Sequence, residues 1–443
     1  MKTSVIGCGY LGAVHATCMA DLGHDVVGVE ADPGKLAALA QGRAPFHEPG
    51  FDDLLARALA TGRLRFTGSM ADVAGSQVHF LCVGTPQQAD SNAADLTYVD
   101  GAVRELIPLL APHEDGPVVV VGKSTVPVGT AERLAAEISA GAPGAGATLV
   151  WNPEFLREGF AIKDTVSPDR IVYGLPEGAV GEAAREVVDA VYADLLARGI
   201  PRLTTDYATA QLVKVAANSF LATKISFINA MAELCEAAGG DVAELAQAIG
   251  YDDRIGTKFL RAGLGFGGGC LPKDIRAFMA RAGELGVDEA LTFLREVDAI
   301  NLRRRQHAVN LAIAACDGDV AGRRIAVLGA AFKPDSDDIR DSPALAVASM
   351  LHELDAEVVV TDPAAVANVR RAKPHLAVAD DAVTAATGAE VVLLVTEWPE
   401  YVGLDPAELG SVVASRHVID TRNVLDGARW RAAGWTYRAM GRR

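Results

Sequence analysis

The chain is short of cysteine pairs, of positive charge and of long apolar runs, and each shortage excludes something. Its six cysteines (Cys8, Cys18, Cys82, Cys235, Cys270 and Cys316) are scattered through 443 residues with no C-x-x-C spacing. That argues against a disulfide framework and a zinc site, and it fits a reducing cytosol. A formal net charge of −16 disfavours a nucleic-acid or anionic-membrane surface. No uninterrupted apolar run is long enough to cross a bilayer. Residues 1–6 run into a strand pattern rather than into a charged stretch, an apolar core and a cleavage site, so no signal peptide is read. The expectation is a cytoplasmic protein with no membrane and no nucleic acid among its partners. What is present suits globular domains: 50% hydrophobic and 22% charged residues, in a chain long enough for two or three of them. An anionic small ligand stays compatible with the acidic balance where lysines and arginines gather locally.

Lys2 to Ile6 reads as a strand ending in Gly7-Cys8-Gly9-Tyr10-Leu11-Gly12, which opens a helix to about residue 22, and residues 25–30 read as the next strand. Strand, G-x-G-x-x-G turn and helix form the context in which this spacing binds a dinucleotide. The first glycine makes the turn, the second clears space for a pyrophosphate, and the third lets the helix sit close to the sheet. Glu30, at the end of the second strand, is placed to bind the ribose hydroxyls and to repel a 2′-phosphate, which selects NAD over NADP.

Further strands are expected at 78–83, 118–121 and Thr148–Trp151, ending in Gly84-Thr85-Pro86, Lys123-Ser124-Thr125-Val126-Pro127 and Asn152-Pro153-Glu154-Phe155-Leu156-Arg157-Glu158-Gly159. Ligands of an open parallel sheet sit outside such strand ends. Ser124 and Thr125 suit either a ligand contact or the cap of the following helix. Glu154 and Glu158 would share a face if their loop made a helical turn, and they suit either solvated carboxylates or acid–base groups.

From 206 to 238 a helical pattern is apolar nearly all round, which predicts burial between domains or in a subunit interface. Lys214 and Asn218, one turn apart, share a face of it, and the lysine needs a carboxylate or an anionic ligand there. A helix at 241–249 leads past Arg254 to Gly265-Phe266-Gly267-Gly268-Gly269-Cys270-Leu271-Pro272-Lys273-Asp274. Glycine lets backbone adopt positive φ and approach a ligand closely. A thiol with a cation beside it is a candidate nucleophile, the alternative being a surface turn with an idle cysteine. The other five cysteines fall in helical or strand patterns that predict burial.

A helix over 284–315 precedes a second series of strands, at Arg324–Leu328, Glu357–Thr361, 391–395 and 417–419. Its first turn, Gly329-Ala330-Ala331-Phe332-Lys333, lacks the dinucleotide spacing, so this domain should hold something other than NAD. Lys333, Arg340 and Arg422 lie in its loops, as solvated cations or as ligands of an anion, and Arg442 and Arg443 read as a solvated tail.

Taken together, these motifs resemble the UDP-glucose/GDP-mannose dehydrogenase family over essentially the whole length, with residues 254–263 most like its UDP-glucose branch. The carriers are the glycine turn, Gly84-Thr85-Pro86, Ser124 to Pro127, Asn152 to Gly159, Lys214 with Asn218, the Cys270 loop, Phe332-Lys333 and Asp420-Thr421-Arg422-Asn423. In this chain Glu30 stands where Asp is commoner, Gly269 where Ser is usual, and Leu271 where that branch often has Phe.

The resemblance implies two Rossmann-like doubly wound domains joined by a long central helix. They divide as 1–205 for NAD, 206–315 as a helical dimerisation region with the cysteine loop, and 316–443 for the nucleotide sugar. It implies a four-electron oxidation of UDP-glucose to UDP-glucuronate with two NAD per turnover, through a thiohemiacetal and a thioester on Cys270. GDP-mannose or a UDP-N-acetylhexosamine is the alternative substrate. A non-catalytic NAD- and UDP-sugar-binding regulator and a two-electron dehydrogenase are rival readings, for neither of which a nucleophile is needed. Carried over residue by residue, Cys270, Lys214, Glu154, Asp274, Asn218 and Thr125 would be catalytic. Gly7, Gly9, Tyr10, Leu11, Gly12, Glu30, Lys35, Thr85, Thr125, Glu158, Lys273 and Arg340 would hold the cofactor. Glu154, Phe155, Leu156, Arg157, Glu158, Lys214, Asn218, Arg254, Phe259, Leu260, Arg261, Gly263, Gly267, Phe332, Lys333 and Arg422 would hold the sugar nucleotide, with Arg254 reaching it from a neighbouring subunit. No metal is implied, and the assembly expected is a homodimer or a higher homo-oligomer.

Overall fold

The computed structural model describes residues 1–442, which divide into two compact units. The first comprises Met1–Ala217 with Arg276–Gly286; the second comprises Asn218–Ile275 and the described chain from Val287 onward. Arg443 lies outside the described residues.

Among the described residues the first unit has eight strands: β1 (Lys2–Ile6), β2 (Asp25–Val29), β3 (Leu64–Thr67), β4 (Val78–Leu81), β5 (Val119–Gly122), β6 (Thr148–Trp151), β7 (Ile171–Gly174) and β8 (Arg202–Thr205). They lie in the order β3-β2-β1-β4-β5-β6-β7-β8. All neighbours pair parallel except β6 with β7, so the sheet reverses once, at its far end. The strand order turns back between β1 and β4, the switch point outside which doubly wound sheets bind ligands. Central strands such as β4 and β5 are buried at every position, as the Val-rich runs of a sheet covered on both faces require. Apolar cores fill each face, one around Val14, Phe51 and Phe80, the other around Leu106, Leu134 and Trp151.

The second unit repeats the plan in a parallel sheet of β9 (Arg324–Leu328), β10 (Glu357–Thr361), β11 (Ala377–Val378), β12 (Val391–Leu394), β13 (His417–Asp420) and β14 (Thr436–Ala439). Its order is β11-β10-β9-β12-β13-β14, with the same turn-back between β9 and β12. The fold is thus α/β, two Rossmann-like doubly wound domains, with the long Tyr207–Ala238 helix running from the first unit into the second.

Five strands went unseen in the sequence. β3, β7, β8, β11 and β14 are each two to four residues long, and β8 is largely exposed and carries the polar Arg202, Thr204 and Thr205. β3, β8, β11 and β14 are edge strands, too short to show a periodicity, whereas β7 lies inside the sheet and its buried Ile171-Val172-Tyr173 run is too brief to tell from a helix segment. The helix expected over 284–315 begins only at Thr292 and runs to Ala315, because Gly286 takes φ +73 and a short 3-10 turn follows it; a separate helix, Leu271–Glu284, precedes the break. The long helix is not buried all round in the isolated chain: Phe220, Phe227 and Leu234, spaced seven apart, are 67%, 48% and 61% exposed. Arg442 is not a solvated tail residue, since its Nε pairs with Asp241 at 2.9 Å. Asp241 in turn caps the Val242–Gly250 helix.

Candidate active site

In the first unit the glycine turn is built as its spacing suggested. Gly7 has φ +88, and a Cβ on Gly12 would lie 1.9 Å from the Gly7 carbonyl oxygen, so neither position admits a side chain. A Cβ on Gly9 would meet nothing within 4 Å, leaving open the space that a pyrophosphate would fill. Gly9 also starts the Tyr10–Asp21 helix without a side-chain cap, so its first N–H groups remain suited to an anion. Glu30 follows β2, buried, with Oε1 accepting from the Asp32 amide at 2.9 Å. Leu11 packs against the core, and Lys35 is exposed on the Pro33–Ala40 helix that Asp32 caps. These residues fit an NAD adenosine and diphosphate.

Two features here were not legible in the sequence. The Tyr10 hydroxyl donates to Glu48, a buried carboxylate that also accepts from the Gly159 amide at 2.7 Å and the Ala161 amide at 2.8 Å. Glu48 thus ties the start of the nucleotide helix to the loop after β6, joining Tyr10 and Gly159 across 149 residues of sequence. Burial and this carboxylate push the tyrosine pKa far up, so Tyr10 stays a hydrogen-bond donor. The second feature is at the end of β5. Ser124 donates to the Val83 carbonyl at 2.7 Å and Thr85 donates to the Thr125 carbonyl at 2.8 Å, so the ends of β4 and β5 are laced together. The capping role considered for Ser124 and Thr125 does not hold: Gly129 occupies the N-cap of the Thr130–Gly141 helix.

The loop from Asn152 to Gly159 is irregular, so Glu154 and Glu158 do not share a helical face. Instead Glu154 folds back, Oε2 accepting from the Leu156 amide at 2.7 Å, and its Oε1 meets Lys214 Nζ at 2.9 Å. Both side chains of this ion pair are largely buried, at 12% and 6% exposure. Phe155 lies under Lys214 and under Arg170, whose guanidinium is 3.7 Å from the ring centre. Arg157 is exposed and is held by Asp164 in a bidentate bridge at 2.8 and 2.7 Å.

In the second unit Cys270 is exposed, whereas Cys8, Cys18, Cys82, Cys235 and Cys316 are buried and none of the six forms a disulfide. Burial pushes the thiols of Cys18 and Cys82 up to about 12, which keeps them inert. Cys270 immediately precedes the Leu271–Glu284 helix, whose Asp274 amide donates to the Cys270 carbonyl at 2.8 Å. Negative charge is favoured at that end of a helix. Asp274, 2% exposed, is held from both sides: Asn218 Nδ2 donates to one oxygen at 2.7 Å and Lys273 Nζ meets the other at 2.6 Å.

The glycines before Cys270 also make room for the protein's own groups. A Cβ on Gly265 would lie 2.1 Å from Asn301 Oδ1, on Gly267 2.3 Å from the Asp341 carbonyl, on Gly268 2.9 Å from the Phe332 ring, and on Gly269 2.3 Å from the Arg340 guanidinium. They let other parts of the unit pack against the loop. Asn301 clamps Phe266 through its amide and carbonyl at 2.7 and 3.0 Å, and Arg422 donates to the Gly265 carbonyl at 3.1 Å.

Of the remaining residues carried over, Arg422 is buried, donates to Val395 O at 2.7 Å and pairs with Glu397 at 3.3 Å. Arg340 is exposed and bridges Asp338, and Arg254, also exposed, bridges Asp252. Lys333 lies over the Phe332 ring. Phe259 holds φ +62, a strained value for a bulky residue, and Leu260 beside it is buried. Gly263 is tight against the Thr421 carbonyl, where a Cβ would come to 2.5 Å, and Arg261 is exposed. The absence of an NAD spacing in the second sheet has a physical counterpart. Asp362, at the end of β10, accepts from the Ala330 and Ala331 amides at 2.7 and 2.9 Å. The turn that would cradle a phosphate is filled by the protein's own carboxylate. Among the described residues no cluster of three or more His, Cys, Asp or Glu could hold a metal.

A doubly wound unit with this glycine turn and strand-end acid, in one chain with an exposed thiol at a helix start, defines a dinucleotide-dependent oxidoreductase. The chain matches the NAD binding domain of the UDP-glucose/GDP-mannose dehydrogenase family over residues 1–196, its central domain over 208–303 and its UDP binding domain over 326–427. It is 44% identical over 443 residues to the UDP-glucose 6-dehydrogenase of Rhizobium meliloti strain 1021, covering 100% of both chains. It is 37% identical over 444 residues to the UDP-glucose 6-dehydrogenase TuaD of Bacillus subtilis strain 168, covering 100% of this chain and 93% of that one. Among solved structures it resembles a UDP-glucose dehydrogenase from the hyperthermophilic archaeon Pyrobaculum islandicum, with a TM-score of 0.89 and 37% identity over 100% of this chain and 98% of that one. The chain belongs to the UDP-glucose/GDP-mannose dehydrogenase family, and its cofactor is NAD.

Proposed function

We propose that the chain oxidises C6 of UDP-glucose to the carboxylate of UDP-glucuronate, releasing two NADH per sugar. The observation that carries this is the thiol. A two-electron dehydrogenase or a sugar-binding regulator needs no nucleophile, yet Cys270 alone of six cysteines is exposed, and it opens a helix whose first turn holds the braced Asp274. UDP-glucose is favoured over GDP-mannose and N-acetylated UDP-hexoses because the relatives at 44% and 37% identity are UDP-glucose 6-dehydrogenases, whereas full-length structures of dehydrogenases for those other sugars match at 27% or less.

NAD, held by the glycine turn and Glu30, supplies the hydride acceptor. The C6 hydroxyl loses its proton to a water placed by Thr125 or to a carboxylate, and the departing hydride leaves an aldehyde. The Cys270 thiolate then adds to the carbonyl carbon, forming a C–S bond and an oxyanion that Lys214 and Asn218 stabilise, the electrostatic assistance that dominates most such reactions. This thiohemiacetal restores a C–H bond from which a second hydride can leave, giving a thioester. Water, activated by Glu154 or Asp274, adds to the thioester carbon; the C–S bond breaks and the thiolate is regenerated. Glu158 would face the nicotinamide side, and Lys333 and Arg422 would bind the diphosphate and sugar, since cations are what hold an anion in a protein acidic overall.

In this reading 1–205 holds NAD, 206–315 carries the cysteine loop and the dimer contact, and 316–443 holds the nucleotide sugar, all in the cytoplasm. No helix among the described residues is long and apolar enough to cross a membrane. The exposed seam Phe220, Phe227 and Leu234 on the long helix is the dimer contact, since its seven-residue spacing puts three apolar side chains on one line. The deciding measurement is NADH formed per UDP-glucose consumed. Two supports the proposal, and one refutes it. Cys270→Ala should bind both ligands yet make almost no acid, whereas Cys270→Ser can trap a covalent sugar ester visible by intact mass. Acid formation by the alanine variant at the native rate would make Cys270 structural.

A further inference from the structure

The strongest unexplained feature of the first unit is a buried lysine with no carboxylate within ion-pairing distance among the described residues. Lys123 follows β5 and is only 7% exposed. Its ammonium donates to Asn152 Oδ1 at 2.9 Å, to the Asn152 carbonyl at 3.4 Å and to the Tyr192 hydroxyl at 3.4 Å. Among the described residues it forms no ion pair, every acceptor around it being neutral. Tyr192 donates to the same Asn152 Oδ1 at 2.8 Å, and Asn152 Nδ2 donates to the Val172 carbonyl of β7 at 2.9 Å. The Asn152 amide is therefore held at both ends. Asn152 is the first residue of the loop that, two positions on, sets Glu154 against Lys214 at 2.9 Å.

Enclosing an ammonium among neutral acceptors destabilises a fold, and an apolar side chain would pack the same space at lower cost. A group kept at such a cost beside candidate catalytic residues points to function rather than to packing. We propose that Lys123 is a positioning residue for the oxidation: it locks Asn152, and through it the Glu154 carboxylate, and it sets a second buried positive charge near the Glu154–Lys214 pair. This rests on the roles given above to Glu154 and Lys214. The titratable and charged groups around Lys123 are Cys82 after β4, Glu154, Lys214, Tyr192, and His15 on the helix after the glycine turn. Burial pushes the Lys123 pKa down to about 8, with Glu154 pulling the other way and Lys214 adding to the fall. The charge is present at neutral pH and disappears as pH rises through that value.

The test compares native enzyme, Lys123→Met, Lys123→Arg and Glu154→Gln, reading kcat and KM for UDP-glucose against pH, with thermal unfolding alongside. Lys123→Met should unfold no earlier than the native protein, keep KM, and lose about 10- to 100-fold in kcat, the scale of a misplaced catalytic group. Native kcat should fall on the alkaline side with an inflection near pH 8. Lys123→Arg, whose guanidinium stays charged, should restore most of kcat and abolish that inflection. A residue serving only to fill space would give Lys123→Met a native kcat and a native pH profile; with Glu154→Gln inactive, that result overturns this inference and leaves the proposed function standing. A Glu154→Gln variant with native kcat would instead overturn the assignment of Glu154, and this inference with it.

Discussion

Replacing Gly265 by alanine should unfold the cysteine loop's support, and the structure gives the size of the effect. Gly265 holds φ +93, and its Cβ would lie 2.1 Å from Asn301 Oδ1. Asn301 is fully buried, so its amide cannot swing into solvent. Pushing it aside breaks the bonds at 2.7 and 3.0 Å to the Phe266 amide and carbonyl. Two buried groups left without their partner cost about 1–3 kcal/mol each. Left-handed backbone on a residue with a Cβ adds about 1–2 kcal/mol. The total is about 5 kcal/mol, or a fall in Tm of about 10–20 °C at the 2–4 °C per kcal/mol of a domain of this size. Calorimetry of a double-mutant cycle isolates the mechanism. Asn301→Ala alone removes the two bonds, and adding Gly265→Ala to it should then cost only the backbone strain. The two changes should therefore be non-additive by about 2–4 kcal/mol, well beyond the roughly 0.5 kcal/mol expected of independent sites. Additivity within that margin would refute the claim that Gly265 is glycine to admit Asn301.

Three further outcomes are expected. Glu30→Ala should raise kcat/KM for NADP relative to NAD by about tenfold or more, as removal of a carboxylate facing the 2′ position predicts; an unchanged ratio would remove Glu30 from the ribose site. His79, buried against Ser4 Oγ at 2.8 Å, has its pKa pushed down to about 4 by burial, so the fold prefers it neutral. The unfolded chain then binds the extra proton below pH 6.5, and stability present above that pH should be lost between about 6.5 and 4, by on the order of 3 kcal/mol; a His79→Gln variant with the native acid slope would contradict this. Phe227→Glu, in the middle of the exposed apolar seam, should convert a dimer to monomers in sedimentation at micromolar concentration, and native protein that already sediments as a monomer would dismiss the seam as an interface.

The features legible in the sequence were those that neighbouring residues create by themselves. The glycine turn could be read because strand, tight turn and helix start within ten residues, and backbone sterics alone demand glycine at Gly7 and Gly12. The central strands could be read because a strand covered on both faces must be apolar throughout, as β4, β5 and β9 nearly are. Cys270 stood out by the company of Lys273 and Asp274 within one turn. What only the tertiary structure decided is the choice of partner across long stretches of chain. Lys214 announced that it needed an anion, but not that Glu154, sixty positions earlier, would supply it at 2.9 Å. The glycines before Cys270 announced close approach, but whether a ligand or Asn301, Asp341, Phe332 and Arg340 did the approaching depended on packing. Glu48, Lys123 and Asp362 carried no local signal at all. A buried carboxylate or ammonium has the same backbone preferences as an exposed one, and what makes it matter is the set of amides and oxygens that the fold brings to it through space.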